Sequence, residues 1–223
     1  MKITIITVSY NSASHIEDAI KSVADQDYQE IEHIVIDGNS NDGTQQILEK
    51  YSNKLAHWES KPDKGIYDAM NKGIKKATGE VIGILNSDDF YFDNQVISKV
   101  AVTFSEKDID AVFGDLIFVD SKNLNRTVRT YSSNNWYPDK FAKGYMPAHP
   151  TFFVRRKFYE KHGLFETDYE IAADYEMLIR LLYVHKLNYV YLPIKMVKMR
   201  TGGVSSNGIK SNIILNSEII KAC

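Results

Sequence analysis

The amino-acid sequence predicts an α/β fold with a mostly parallel central sheet and helices on both faces. Short β-branched apolar runs recur along the first 120 residues, and helical-period segments separate them. The residues that follow these runs are polar and rich in Asp, Asn, Ser and Gly. Strands that alternate with helices are joined by crossovers, which give parallel pairing with both sheet faces covered. In such sheets ligands bind beyond the carboxyl ends of the strands.

Each element has its own justification. "ITIITV" (3–8) is a buried strand by its β-branched run. Ser14 and Glu17 have capping-box spacing and open a helix through Ile16, Ile20 and Val23. "HIVID" (33–37) is a second strand, and "NSNDGT" (39–44) is a turn with Gly43 where φ is positive. "QQILEKY" (45–51) continues as helix, and "AHWES" (56–60) is a short third strand. "IYDAMNKGIKKA" (66–77) is a helix with Gly79 just past its end, followed by the strand "EVIGILN" (80–86). A helix over 94–105 leads to the strand "DAVFGDLIFVD" (110–120).

The second half has a different rhythm. "RTVRTYS" (126–132) is an extended arm, and "AHPTFFVRRKFYEKHG" (148–163) is a short strand and a helix ended by Gly163. "ADYEMLIRLLYVH" (173–185) is an amphipathic helix and "NYVYLP" (188–193) a strand. "RTGGVSSNG" (200–208) is a flexible loop, and a final helix carries Ile213, Ile214, Ile219 and Ile220. That helix either packs on its own domain, the commoner outcome, or makes a peripheral contact with a membrane or partner. The chain stops inside its apolar period, as a shortened chain would.

Composition narrows the class. The 223 residues bury a sizeable core, and no repeat or linker divides them. Hydrophobic residues are 43% and charged residues 25%, as in ordinary globular chains. A net charge of −2 supplies no basic field for nucleic acid. Cys223 is the single cysteine, so no intrachain disulfide forms, which fits a reducing compartment. The N-terminal apolar run is too short for a signal peptide, and no run approaches the roughly 18 residues of a membrane span. A cytoplasmic protein is expected, with any membrane contact peripheral, at the inner face of the plasma membrane.

The chemistry gathers at the strand ends "SYN" (9–11), "DGNSNDG" (37–43) and "NSDD" (86–89), which line one sheet edge. Asp88 and Asp89 are hard oxygen donors suited to Mn²⁺ or Mg²⁺, and a cation offsets their mutual repulsion. Asp37 ends a strand, where its carboxylate can accept from a base or ribose. Lys64 and Gly65 precede a helix, whose free N–H groups favour anions. Taken singly, each is at least as readily an ordinary turn or cap residue, and for the acid pair and the Lys64–Gly65 stretch that reading is favoured.

Taken together, "TVSYNS" (7–12), "IDGNSNDGT" (36–44), "DKGIYDAMNKGIKKATGEVIGILNSDD" (63–89) and "AADYEMLIRL" (173–182) resemble, in order, the family 2 glycosyltransferases of GT-A fold. The resemblance covers about residues 2–200. It implies a nucleoside-diphosphate-sugar donor, UDP-linked by preference, a divalent Mn²⁺ or Mg²⁺, and transfer with inversion. It also implies a Rossmann-like nucleotide-sugar-binding half (1–120) and an acceptor-binding half (121–223) within one domain. By that resemblance Thr7, Ser9 and Tyr10 pass beneath the nucleobase, with Tyr10 stacking, and Asp37 hydrogen-bonds the base. Lys64, Asp68 and Asn71 approach the donor, Asp88 faces ribose or sugar, and Asp89 ligates the metal. Asp174 is the catalytic base, and His149 shapes the acceptor side. Arg200 reaches the diphosphate as the Gly202–Gly203 loop closes. Tyr131, Trp136, Tyr137 and Tyr145 form either a platform for a sugar ring or part of the core.

The Gln–Arg–Trp motif of processive polysaccharide synthases is absent, so single addition is expected, to a glycan or lipid-linked acceptor in surface-polysaccharide assembly. Two rival readings stay open. A nucleotidyltransferase or sugar-nucleotide pyrophosphorylase needs a glycine-rich loop after the first strand, and "SYNSASH" has none. A non-catalytic nucleotide- or glycan-binding module has no use for Asp174 or Asp89, and both are present.

Overall fold

The computed structural model describes residues 1–202 and 208–223, so most of the loop expected over 200–208 lies outside the described residues. A nine-stranded mixed sheet runs through the chain. Its parallel core is β1 (Ile3–Ser9), β2 (Ile31–Asp37), β3 (His57–Ser60) and β4 (Val81–Ile84). β5 (Phe90–Tyr91), β6 (Ala111–Asp120), β7 (Asn123–Tyr131), β8 (Phe153–Arg155) and β9 (Tyr189–Arg200) complete it. The order is β3-β2-β1-β4-β8-β6-β9-β5, with β7 paired to β6. β8 is antiparallel to both β4 and β6, whereas β6 and β9 are parallel. Most paired residues are in parallel register, as the strand–helix alternation predicts.

Helices cover both faces. Ile6, Val8, Ile34 and Ile36 face one layer, which holds α3 (Ile66–Lys76), α5 (Lys157–His162) and α6 (Ala173–Leu178). Ile3, Ile5, Val81 and Leu85 face the other, with α1 (Ile16–Ala24) and α4 (Val96–Glu106). Ile16, Ile20, Val35 and Leu48 seat α1 and α2 (Thr44–Lys50) on β2. All seven residues of β1 are buried, which is why it reads as a continuous apolar run. α6 passes into one π-helical stretch, Ile179–Val184. The last helix, α7 (Gly208–Ala222), packs Leu215, Ile219 and Ala222 on the core and leaves Ile213 and Ile220 exposed. Among the described residues no helix is long and apolar enough to cross a membrane.

Local expectations meet two corrections. The Ser14–Glu17 capping box does not form: α1 begins at Ile16 without a side-chain cap, its first N–H groups donating to the Ser12 carbonyl. Glu17 instead accepts from the Tyr51 hydroxyl at 2.6 Å and pairs with Lys21 at 2.7 Å. Gly79 does not cap α3, which ends at Lys76 with Ala77 as its C-cap residue; it lies against β1, where a Cβ would stand 2.6 Å from Thr4 Oγ1. Gly43 does adopt the left-handed conformation, with φ 105°.

Candidate active site

The carboxyl ends of the parallel strands meet at one edge. Ser9 of β1 is in register with Asp37 of β2, and Asp37 with Ser60 of β3. The Ser12 hydroxyl touches that of Ser87 in the turn after β4, at 2.8 Å. β8 runs antiparallel to β4, so the segment ahead of it, with His149, returns to the same edge. The start of α3, after β3, also lies here.

Asp37 is fully buried and its carboxylate is saturated. Oδ1 accepts from the hydroxyls of Ser9 at 2.9 Å and Ser40 at 2.5 Å. Oδ2 accepts from the Ser40 N–H at 2.9 Å and the Ser60 hydroxyl at 2.6 Å. A carboxylate has about four lone-pair sites, so a base must displace a serine to bond it. Tyr10 stands exposed (67%) beside Gly38, close enough that a Cβ there would meet its ring at 3.3 Å. Asp63 approaches the same glycine, with Oδ2 2.7 Å from that Cβ position.

Several expected donor contacts are turned inward. Thr7 is wholly buried and shares a hydrogen bond with His33 Nε2 at 3.0 Å, so it does not reach a nucleotide. Asn71 is spent on the Phe165 backbone, donating to its carbonyl at 2.8 Å and accepting its N–H at 2.9 Å. It straps the second half of the chain to α3. Asp68, in the first turn of α3, accepts the Lys64 N–H at 3.1 Å and pairs with Lys72 at 3.0 Å. The Lys64 residue is exposed beside a cleft of about 100 Å³ shared with Gly65, Tyr67 and Tyr169. A hollow of about 370 Å³ between α3 and α5 holds none of the expected residues.

The acidic turn separates its two carboxylates. Asp88 is partly exposed, whereas Asp89 has no exposed surface. Among the described residues Asp89 Oδ1 has no hydrogen-bond partner and Oδ2 has only Asn86 at 3.4 Å. Burial and the Asp88 charge push the Asp89 carboxyl well above the usual range. Both Asp89 oxygens lie below the surface, so a cation shared with donor phosphates meets the Asp88 carboxylate first. The Asp88 carboxylate is the partly exposed oxygen donor of this turn that fits a hard cation, and among the described residues the unpartnered Asp89 Oδ1 and Asn86 Oδ1 both lie buried in the same turn. Arg200 is turned inward as well. Only 5% exposed, it donates to the Asp88 carbonyl, pairs with Asp18 and lies 4.9 Å above the Phe90 ring. Its donors brace the turn from within.

Asp174 sits in the first turn of α6, partly buried. Its Oδ1 accepts the Tyr175 N–H at 2.8 Å, and the Tyr67 hydroxyl, whose one proton goes to the Ile171 carbonyl, lies 3.5 Å away. Burial raises the Asp174 carboxyl above its ordinary value, and the nearby His149 partly opposes this. His149 is 5% exposed, edge-on to Phe165 at 5.6 Å, and burial holds its ring below the usual histidine value. The structure thus brings His149, Tyr67 and Asp174 together. Tyr67 was missed because only the fold places a residue of α3 against α6. Of the aromatic platform, Trp136 packs against Phe113, Phe141 and Tyr189, and Tyr131 donates to the Met146 carbonyl at 2.7 Å. Tyr137 and Tyr145 are exposed.

Comparison with known proteins adds ancestry to this geometry. Residues 4–165 match the family described as Glycosyl transferase family 2. A glycosyltransferase of Mycobacterium tuberculosis is 32% identical over 183 residues, covering 80% of this chain and 68% of that protein. A PGL/p-HBAD biosynthesis glycosyltransferase of Mycobacterium bovis is 26% identical over 98% of this chain and 82% of its own length. S. aureus TarS (residues 1–349), solved with UDP-GlcNAc, superposes with a TM-score of 0.79 at 21% identity. That match covers 100% of this chain and 66% of the TarS chain. The Pyrobaculum calidifontis mannosyltransferase PcManGT, solved with GDP-Man and Mn²⁺, superposes with a TM-score of 0.70 at 18% identity over 98% of this chain and 61% of its own. At such identities the structural likeness is one of fold.

Proposed function

Because the chain belongs to glycosyl transferase family 2, a family of glycosyltransferases, we propose that it is a non-processive, inverting enzyme that moves a sugar from a UDP-sugar to an acceptor hydroxyl. One observation carries the reading: Asp174, with its carboxyl pKa raised, stands at the strand-end edge that also holds Asp37, Asp88 and the exposed Tyr10 ring. The TarS complex with UDP-GlcNAc and the PcManGT complex with GDP-Man and Mn²⁺ support a nucleotide-sugar donor. The relatives' part in PGL/p-HBAD biosynthesis supports a glycan or lipid-linked acceptor.

Tyr10 offers its face to the base, while Asp37 stiffens the loop behind it through Ser9, Ser40 and Ser60. Lys64 and the start of α3 face the diphosphate. Asp88 would hold the divalent cation, which when bound would supply positive charge against the leaving diphosphate. An acceptor hydroxyl has a pKa far above 7 and needs a base as it attacks. Asp174 Oδ1 is fixed by the Tyr175 N–H, which leaves Oδ2 for the acceptor proton. Burial makes that carboxylate a better base than an exposed one. The acceptor oxygen bonds the anomeric carbon as the bond to phosphate breaks on the opposite face, so no enzyme nucleophile is required. Residues 1–120 form the donor half and 121–223 the acceptor half.

Titration of UDP and of GDP in Mn²⁺ and in EDTA tests the donor site. Metal-dependent UDP binding is expected, and no binding of either nucleotide would overturn the reading. Asp174→Asn is expected to keep UDP binding and lose roughly 10²–10⁴-fold in turnover of the cognate UDP-sugar. Unchanged turnover would remove Asp174 as the base.

A further inference from the structure

The loop that leads into α6 is held by the C-terminal helix. Three successive backbone N–H groups point at one carboxylate, that of Glu218 in α7. Oε1 accepts from Glu170 at 2.6 Å, and Oε2 accepts from Ile171 at 2.9 Å and Ala172 at 2.8 Å. N–H groups at a helix entry have no intrahelical acceptor, and a carboxylate that takes several makes strong, charge-assisted bonds. Across the loop, the Tyr67 hydroxyl of α3 donates to the Ile171 carbonyl. Residues 170–172 are therefore clamped through their N–H groups from α7 and through a carbonyl from α3. The next side chain but one is Asp174.

α7 has a second anchor on this loop, because Lys221 pairs with Asp168 and lies 4.1 Å above the Tyr169 ring. That anchor docks the helix but touches no group adjacent to Asp174. The two contacts can thus be cut separately.

We propose that Glu218 is a positioning residue for Asp174: by holding the 170–172 amides it presents the Asp174 carboxylate, between Tyr67 and His149, to the acceptor. Asp174 as the base rests on the function proposed above, whereas the positioning itself does not. Glutamine cannot replace Glu218. Whichever way its amide turns, its NH₂ faces at least one of the three backbone donors.

The test compares full-length wild type, Glu218→Gln, Glu218→Asp and Lys221→Ala by NMR, without substrate. The groups that face Asp174 are Tyr67 from α3 and His149 from the segment before β8, and all four proteins keep both. Glu218→Gln is expected to speed amide exchange at 170–172 by about tenfold or more. The Asp174 carboxyl titration should also move toward the ordinary aspartate value. Glu218→Asp, which keeps the charge, should give intermediate changes, and it carries the comparison if Glu218→Gln fails to fold. Lys221→Ala should leave both readouts at wild type. The proposal is overturned if Glu218→Gln changes neither readout, or if Lys221→Ala reproduces its changes, since Glu218 is then only one more docking contact. With the cognate UDP-sugar, Glu218→Gln should lower kcat at unchanged donor KM. Failure of wild type to bind UDP would sink the donor reading while leaving the NMR result to decide this one.

Discussion

Replacing Asp88 by Asn, and separately Asp89 by Asn, is expected to split one acidic pair into two unlike residues. Both changes replace a carboxyl by an amide of nearly the same shape. The difference lies in where the carboxylates end: Asp88 is partly exposed, and Asp89 has no accessible surface. If Asp88 holds the cation that accompanies the nucleotide, Asp88→Asn should weaken Mn²⁺-dependent UDP binding by at least the tenfold to hundredfold typical of losing a ligand's supporting partner. That is a loss of about 1.4–2.7 kcal/mol or more. Asp89→Asn should change it less than about threefold, under roughly 0.7 kcal/mol.

The assay is calorimetric titration of UDP in Mn²⁺, with an EDTA control. Neither substitution should collapse the turn, because Arg200 grips the Asp88 carbonyl and not its side chain. A thermal melt of each variant checks this directly. Loss of binding in Asp89→Asn with retention in Asp88→Asn would refute the argument from accessibility and restore the inner carboxylate as ligand.

Other consequences follow from the same contacts. Asn71→Ala leaves a buried N–H and carbonyl of Phe165 unpaired, at about 1–3 kcal/mol each. Urea unfolding should show a loss of roughly 2–6 kcal/mol, and a loss under 1 kcal/mol would mean that water replaces the strap. Burial holds the His33 ring down at about 3 from an ordinary 6.5, so between those values the unfolded chain binds a proton that the folded one does not. This contribution is intact above pH 6.5 and declines as pH falls toward 3, by about 1.4 kcal/mol per pH unit. At pH 5 that is about 2 kcal/mol. His33→Gln, which keeps a partner for Thr7, should remove that share of the acid sensitivity; an equal drop in both proteins sinks the assignment. For turnover, Asp174 must be ionised, so the acid limb of kcat/KM should fall at a pH above the ordinary aspartate value. The limb should disappear from the residual activity of Asp174→Asn, and a limb that survives belongs to another group.

The parallel core was legible because doubly covered strands are apolar runs, and β1, β2 and β4 fall where those runs lie. β9 was read as ending at Pro193, yet it continues to Arg200. Pro193 cannot donate to a ladder, and the β6–β9 register skips there, from Phe113↔Tyr191 to Asp115↔Lys195. Gly114 sits in that gap, where a Cβ would stand 2.9 Å from the Ile194 carbonyl oxygen. The strand survives its proline because a glycine on the partner takes up the irregularity. The Ser14–Glu17 spacing misled for a related reason: a helix entry tied to the Ser12 carbonyl left the box unused.

Site chemistry was legible by residue type and not by direction. In a sheet covered on both faces, no alternation of polar and apolar residues says which side chain at a strand end looks outward. Thr7 and Asn71 are polar as a donor site requires, but their partners are His33 and Phe165, distant in sequence and fixed only by the fold. Glu218 had no local signal, since its three donors lie 46 to 48 residues earlier. The acidic pair shows the principle most sharply. The Asp89 N–H closes a turn on the Asn86 carbonyl at 3.1 Å, and Arg200 pins the Asp88 carbonyl from within. Those two backbone contacts fix the turn that seals one carboxylate and exposes the other. Two residues of identical chemistry thereby part roles, and the choice between them belongs to the turn.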